Sequence, residues 1–337
     1  MKINTRDSLQ FLKTLRVKRV VNIFKIVGSY LVSKVTGENR HSGLPIAVSI
    51  EPTTSCNLRC PQCPSGLREF TRDTGMLDVS LNKKIIDELK DTLTYITYYF
   101  QGEPYLNKSF LDMVSYASSH NIYTATSTNA HYLTKDVAEA TIKSGLKRLI
   151  ISVDGTTQES YGKYRIGGKL DKVLEGTQNI VDAKKKAGKG PHIIWQFIVF
   201  GHNENEIKEI KTLAKNYGVD ALGIKTAQVY DFTTNINLIP DNETYARYTK
   251  KGDPKIKNKL LNHCWRLWHS CVITWDGKIA PCCFDKDASH QFGDLRQSSF
   301  VDIWKNSEYN AFRKLVLKSR KNIDICQNCT EGTKIWA

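Results

Sequence analysis

Three cysteines, Cys56, Cys60 and Cys63, stand at Cys-x3-Cys-x2-Cys spacing in the stretch Ser55-Cys56-Asn57-Leu58-Arg59-Cys60-Pro61-Gln62-Cys63-Pro64. Three thiolates on so short a loop can hold three irons of a cuboidal four-iron, four-sulfur cluster, leaving the fourth iron open to a small molecule. A structural zinc wants four ligands, and this stretch offers no histidine and no fourth cysteine. A disulfide is weaker still, because the start of the chain, Met1 to Asp7, has no signal-peptide apolar block.

A second group lies beyond residue 263: Cys264, Cys271, Cys282, Cys283, Cys326 and Cys329. The run Ile273–Ile279 reads as a β-hairpin turning at Asp276-Gly277, which would bring its flanking cysteines together. Cys326-x2-Cys329 can then close a four-thiolate site, and Phe300–Lys318 reads as a helix between them. Four thiolates serve either zinc or an iron–sulfur cluster, and out of context zinc is favoured.

Elements able to position the first loop follow from the pattern between Ala47 and about Val229, where strand-like and helical stretches alternate. Candidate strands are Ala47–Ile50, Tyr95–Phe100, Tyr123–Ser127, Arg148–Val153, Ile193–Phe200 and Ala221–Val229. Helical stretches include Leu81–Leu93, Ser109–His120 and Asp171–Lys186. Six βα units imply a parallel sheet with its ligands at the carboxyl ends of the strands. Polar punctuation falls at those ends: Gln101-Gly102-Glu103-Pro104, Ser127-Thr128-Asn129, and Ser152-Val153-Asp154-Gly155 followed by Tyr161, Tyr164 and Arg165. Within the last two strands, Gln196, Lys225 and Gln228 must find a partner or line a cavity. They are the candidate substrate-pocket residues.

Residues 1–45 read as one or two basic amphipathic helices, with Leu9, Leu12, Leu15, Val20, Ile23, Phe24, Val27 and Leu31 at helical spacing. Such a row is expected to pack on the body of its own protein; contact with an anionic membrane or a protein partner is the alternative. The apolar stretch Val20 to Val35 is interrupted by Asn22, Lys25, Ser29, Ser33 and Lys34 and is no transmembrane span. The segment 231–262, rich in Asn, Asp, Lys and Thr, reads as a linker. The net charge of +15 over 337 residues is read as a solvated basic surface. No interleaved aromatic and basic signature marks a nucleic-acid binder.

In the order of its motifs, from the cysteine loop through each strand end, the chain resembles the radical S-adenosylmethionine (SAM) superfamily. That resemblance implies a partial (β/α)6 TIM-like barrel over 46–230, α/β in class. It also implies reductive cleavage of SAM to a 5′-deoxyadenosyl radical that abstracts hydrogen from a substrate. Cys56, Cys60 and Cys63 would ligate the SAM-binding cluster. Gly102, Glu103, Ser127, Asn129, Ser152 and Arg165 would contact SAM, Asp154 would take a structural or substrate-pocket role, and Gln101 and Gln62 stand where the family often has glycine and an aromatic residue. Residues 263–337 resemble SPASM and twitch domains, a β-hairpin plus helix holding an auxiliary cluster. By that resemblance Cys264, Cys282, Cys326 and Cys329 are its ligands, with Cys283 able to replace Cys282 and Cys271 spare.

The expected cofactors are thus two 4Fe-4S clusters and SAM, with an electron donor such as flavodoxin or ferredoxin. The expected location is the cytoplasm, with residues 1–45 able to lie on the inner membrane surface. The lone auxiliary site favours oxidation (dehydrogenation) of a small molecule over a maturase that modifies a peptide or protein. A zinc or iron–sulfur protein binding nucleic acid is the distant third reading.

Overall fold

Six parallel strands carry the frame: β1 (Ala47–Ile50), β2 (Tyr95–Thr97), β3 (Tyr123–Thr128), β4 (Arg148–Ser152), β5 (His192–Val199) and β6 (Ala221–Thr226). They belong to a computed structural model that describes residues 5–233, 235–250 and 252–335, with side chains from residue 7. The first four and last two residues of the outer segments read above therefore lie outside the described residues. Helices Val79–Leu89, Phe110–Ser119, Lys135–Lys143, Leu170–Ala187 and Ile207–Asn216 separate the strands and cover them. Central strand residues such as Ile96, Leu149, Trp195 and Phe197 are fully buried, which a parallel sheet covered by helices requires.

The sheet has eight strands, in the order β6-β5-β4-β3-β2-β1-β7-β8. The hairpin expected to belong to a separate small domain instead extends the barrel sheet. Its first strand, β7 (Ser270–Ile273), lies parallel to β1, with Ala47 opposite Ser270 and Ile50 opposite Ile273. Its second, β8 (Ile279–Ala280), returns antiparallel across a turn in which Gly277 has φ +91°. The physical reason is the edge of β1, whose unpaired N–H and C=O groups would otherwise be buried without partners.

Three other expectations change in detail. β2 stops at Thr97 and β6 at Thr226, because Tyr99–Gln101 and Gln228–Tyr230 leave the ladder and turn toward the cavity described below. The helix read over Phe300–Lys318 is two helices, Phe300–Lys305 and Ser307–Ser319. Asn306 ends the first and caps the second, its side chain accepting from the Tyr309 N–H at 2.8 Å. The segment 231–262 is no free linker. Its Tyr248 is buried, accepts the Val229 N–H at 3.0 Å and donates to Asn328 Oδ1 at 2.8 Å, clasping the end of β6 to the carboxyl-terminal cysteines.

The amino-terminal helices α1 (Thr5–Leu12) and α2 (Val17–Thr36) form, and of the expected inward apolar row only part faces in: Ile23 and Val27 pack against the core, and Leu15 and Val20 are half-buried. Leu9, Leu12, Phe24 and Leu31 are exposed, whereas Arg19, Asn22, Ser29 and Ser33 of α2 are buried beside Ile26 and Tyr30. The surface beneath α2 offers carbonyl groups, and these select the polar face. Arg19 is fully buried and donates to the carbonyls of Thr14, Lys90, His120 and Asn121 at 2.6–3.0 Å. Asp7 accepts from Tyr123 and Arg148, the first residues of β3 and β4. These helices therefore pack at the amino ends of the strands, opposite the catalytic end. Among the described residues no helix is long and apolar enough to cross a membrane.

Arg19→Ala removes a buried guanidinium and strips four buried or half-buried carbonyls of a charged donor. It should destabilise the fold by about 3–5 kcal/mol, read as a fall in the urea midpoint. A loss below about 1 kcal/mol would mean that water replaces the arginine without cost.

Candidate active site

The cysteine loop leaves the carboxyl end of β1 and is pinned by Leu58, which is 1% exposed. Cys60 is buried, and Cys56 and Cys63 are half-buried. All three sulfurs border one cavity of about 320 Å³ at the strand ends. Donors are aimed at them: the Leu58 N–H lies 3.4 Å from Cys56 Sγ, and Arg165 Nη1 lies 3.7 Å from Cys60 Sγ. Burial pushes the Cys56 thiol up to about 12 and raises Cys60 as well, so binding iron there must release protons. Gly66 packs on the loop so closely that a Cβ would lie 2.5 Å from the Cys60 backbone N and O. Three sulfurs, N–H donors to sulfur and an adjoining cavity make a donor set that fits a cluster with one open iron. Among the described residues, no three His, Cys, Asp or Glu side chains meet as closely as a single metal ion would require.

The strand-end residues hold one another. Gly102 has φ +72°, and a Cβ there would sit 2.2 Å from the Thr53 carbonyl oxygen, so only glycine fits. Its N–H donates to Ser65 Oγ at 2.9 Å, and the Glu103 N–H donates to the Ser55 carbonyl at 2.8 Å. The turn after β2 is thereby bonded to both flanks of the cysteine loop. The Glu103 carboxylate accepts the Thr128 hydroxyl at 2.7 Å and the Asn129 N–H at 2.8 Å. Burial nevertheless raises this carboxyl to about 7. Asn129 Nδ2 donates to Asn57 Oδ1 at 2.8 Å, tying the end of β3 to the same loop. Ser127 and Ser152 also line the cavity.

Asp154 does not line the cavity, so of its two expected roles, structural or substrate-facing, the structural one fits. It is fully buried, accepts Arg165 Nε at 2.6 Å and the Ile198 N–H at 2.7 Å, and so orients Arg165 instead. Gln196, Lys225 and Gln228 do line it. So do Tyr99, Tyr230, Arg247 and Lys286, which the sequence reading missed. Gln62 accepts the Tyr230 N–H at 2.9 Å, joining the cysteine loop to the segment after β6.

The carboxyl-terminal cysteines gather behind the hairpin. Cys264 precedes the helix Trp265–His269, and a Cβ on Gly332 would lie 2.5 Å from its sulfur. Cys329 Sγ accepts from Arg320 Nη2 at 3.2 Å and from the Glu331 N–H at 3.3 Å. The Cys282 thiol is raised by burial and further by its neighbours Cys283, Cys264 and Cys329. Cys326 is raised by burial, with Arg320 opposing and Cys264 adding to the rise. Cys283 packs instead beside Phe100, Val272, Ala280 and Ala288, and Cys271 is buried in β7. Buried sulfurs beside a guanidinium and backbone N–H groups fit a thiolate-bound cluster here too. Buried Glu51 links the two regions, gripping Arg72 with both oxygens at 2.6 and 2.9 Å and accepting the Trp275 N–H at 3.2 Å.

Residues 50–215 match the sequence model of the radical SAM superfamily, and residues 264–330 match that of SPASM, an iron–sulfur cluster-binding domain. The chain belongs to the radical SAM superfamily. It is an enzyme whose cofactors are SAM, a SAM-binding 4Fe-4S cluster and an auxiliary 4Fe-4S cluster. Among curated relatives, the mycofactocin maturase MftC of Mycobacterium tuberculosis is 26% identical over 85% of this chain and 75% of its own length. The PqqA peptide cyclase of Rhodopseudomonas palustris is 26% identical over 80% of this chain and 76% of its own. Among solved structures, Streptococcus suis SuiB bound to its precursor peptide SuiA superposes with a TM-score of 0.64 at 14% identity, covering 91% of this chain and 75% of that one. BtrN in complex with AdoMet and 2-DOIA gives 0.56 at 19%, covering 86% and 94%. These likenesses establish the radical SAM barrel fold, with its SPASM region.

Two outcomes follow for this radical SAM site. Glu103 binds its proton more tightly folded than unfolded, so its contribution to stability is complete below about pH 4.5 and lost as pH rises through about 7. Without SAM, the parent should lose about 3 kcal/mol more than Glu103→Gln across that window, measured by urea unfolding; identical profiles would contradict the shift. Gly102→Ala should drive the turn off the Thr53 carbonyl and deplete iron from the amino-terminal cysteines, leaving the carboxyl-terminal iron in place. Full iron content in that variant would contradict the tight packing.

Proposed function

We propose that this enzyme is a radical SAM maturase that modifies a peptide. The observation that carries the reading is the kinship along most of the chain with a mycofactocin maturase and a PqqA peptide cyclase. Those relatives favour peptide modification over the small-molecule dehydrogenation that the single auxiliary site had suggested. Bound together, the cluster and SAM supply a carbon radical that takes a hydrogen atom from the substrate. In this reading Cys56, Cys60 and Cys63 hold the SAM-binding cluster, and Gly102, Glu103, Ser127, Asn129, Ser152 and Arg165 form the SAM-facing half of the cavity. Gln196, Lys225 and Gln228 face the substrate, and Asp154 positions Arg165. Cys264, Cys282, Cys326 and Cys329 hold the auxiliary cluster, the packing of Cys283 beside Phe100, Val272, Ala280 and Ala288 supporting Cys282 as the fourth ligand. A flavodoxin or ferredoxin is the electron donor.

The test is incubation of reduced enzyme with SAM and any short peptides found encoded beside its gene. One peptide should change mass while 5′-deoxyadenosine forms, and the Cys56/Cys60/Cys63→Ala variant should yield neither. Turnover of a small molecule with every such peptide unchanged would overturn the reading. Reconstituted protein should hold about eight irons and the triple variant about four; stoichiometric zinc in the carboxyl-terminal site would contradict the ligand assignment.

A second reading concerns α2. We infer that it rests on an anionic bilayer. Val17, Val21, Phe24, Leu31 and Val35 form one exposed stripe, with Phe24 72% and Val35 85% exposed. Val17–Thr36 contains no acidic residue, and Lys18, Lys25 and Lys34 stand beside the stripe, complementary to anionic headgroups. The protein should cosediment with vesicles containing phosphatidylglycerol and not with pure phosphatidylcholine, and Phe24→Asp should abolish the binding. No vesicle binding, or a dimer that Phe24→Asp dissociates, would overturn the membrane reading.

A further inference from the structure

We infer that the substrate half of the cavity is a carboxylate-recognition subsite built from Lys225, Arg247 and Lys286. The inference rests on the proposed function in placing a peptide in this cavity. The three cations come from three separate parts of the chain: β6, the segment 231–262 and the loop after β8. All three line the same cavity. Arg247 uses Nε and Nη2 on Thr226 at 3.4 Å, while its Nη1 is buried and has no hydrogen-bond partner. Among the described residues, none of the three forms an ion pair with an aspartate or glutamate.

The carboxylates nearby are already committed. Glu103 lines the cavity but is engaged by Thr128 and Asn129, and Asp154 is held by Arg165. Three like charges gathered at one cavity repel each other, and a buried guanidinium nitrogen without an acceptor is costly. Such an arrangement is stabilised when an anion enters. Arginine's planar fork with two ammonium groups beside it suits a carboxylate's two oxygens. Tyr99 and Tyr230 line the same wall, adding aromatic surface against which the chain bearing that carboxylate can lie. The competing account is that these cations balance iron-bound thiolates, since Cys63 and Cys283 lie within electrostatic reach of Lys286.

Three probes separate the sources of the carboxylate in the reconstituted enzyme with SAM bound: acetyl-Gly-Glu-Gly-amide, acetyl-Gly-Gln-Gly with a free carboxyl terminus, and acetyl-Gly-Gln-Gly-amide. Binding measured by calorimetry should favour one of the two acidic probes over the neutral one by about tenfold. The favoured probe identifies the side chain or the terminus as the source. Lys225→Gln and Lys286→Gln should each reduce that preference, with iron content and the cluster's reduction potential unchanged. Arg247→Gln should abolish it. Equal binding of all three probes, in a protein that still modifies its peptide, would overturn the subsite and leave the maturase reading standing. Tight binding of inorganic phosphate with no preference among the peptides would overturn the carboxylate assignment. A preference that survives the lysine substitutions while the potential shifts would assign the cations to the cluster and overturn the inference.

Discussion

The parallel pairing of β1 with β7 is the constraint on which the rest of the structure depends. β1 delivers the first cysteine loop from its carboxyl end, and it is hydrogen-bonded on both sides, to β2 and to β7. The turn after β2 bonds back to the loop through Gly102 and Glu103. The turn after β7 bonds to Glu51, which also grips Arg72 at the far end of the same loop. One short strand thus fixes the first cysteine loop, the turn after β2 and the hairpin carrying the auxiliary region. Glu51 holds them without solvent: burial raises its carboxyl, and Arg72 is the largest opposing influence. Removing either partner leaves a buried charge alone, the costly way to break such a pair.

Around that frame the cavity has two halves of different chemistry. The half nearest β1 to β4 is bonded to itself: Glu103, Asn129 and Arg165 each have protein partners that fix their orientation. The half formed by β6 and the segments after it carries Lys225, Arg247 and Lys286, which form no ion pair with a carboxylate among the described residues. In the proposed reading the preorganised half serves a constant cofactor, because a group already oriented loses little freedom on binding. The other half would serve a guest that enters and leaves, its own charge completing the pairing. Tyr248 holds the second half in place by joining the end of β6 to Asn328 beside the auxiliary cysteines.

Local spacing made much of this legible in the sequence. Cys56, Cys60 and Cys63 form a motif within eight residues, and the strand-end stretches around Gly102, Asn129 and Ser152 follow strands whose apolar runs are plain. What was not legible depended on distant partners. Ser270–Ile273 is too short to announce that it pairs with β1. Arg247 lies in a segment without periodicity, and nothing local signals that it reaches the cavity. The choice between a structural and a substrate role for Asp154 rests on partners distant in sequence, Arg165 and the Ile198 N–H, which occupy its carboxylate. In α2 the apolar spacing found only part of the inward face, Ile23 and Val27, because the half-buried carbonyls of His120 and Asn121 turn Arg19 inward beside them. Asn306 carried a local signal, a capping residue inside an apparent helix, that went unread.

If β7 is part of the barrel sheet, the auxiliary region cannot open independently of the SAM-binding region. Native-state hydrogen exchange of the fully loaded enzyme measures this directly. The amides of Ala47–Ile50 and Ser270–Ile273 should share one opening free energy, equal to that of global unfolding. Exchange of Ser270–Ile273 through a lower-energy opening, with Ala47–Ile50 still protected, would contradict the account and make the cysteine-rich region an appended domain.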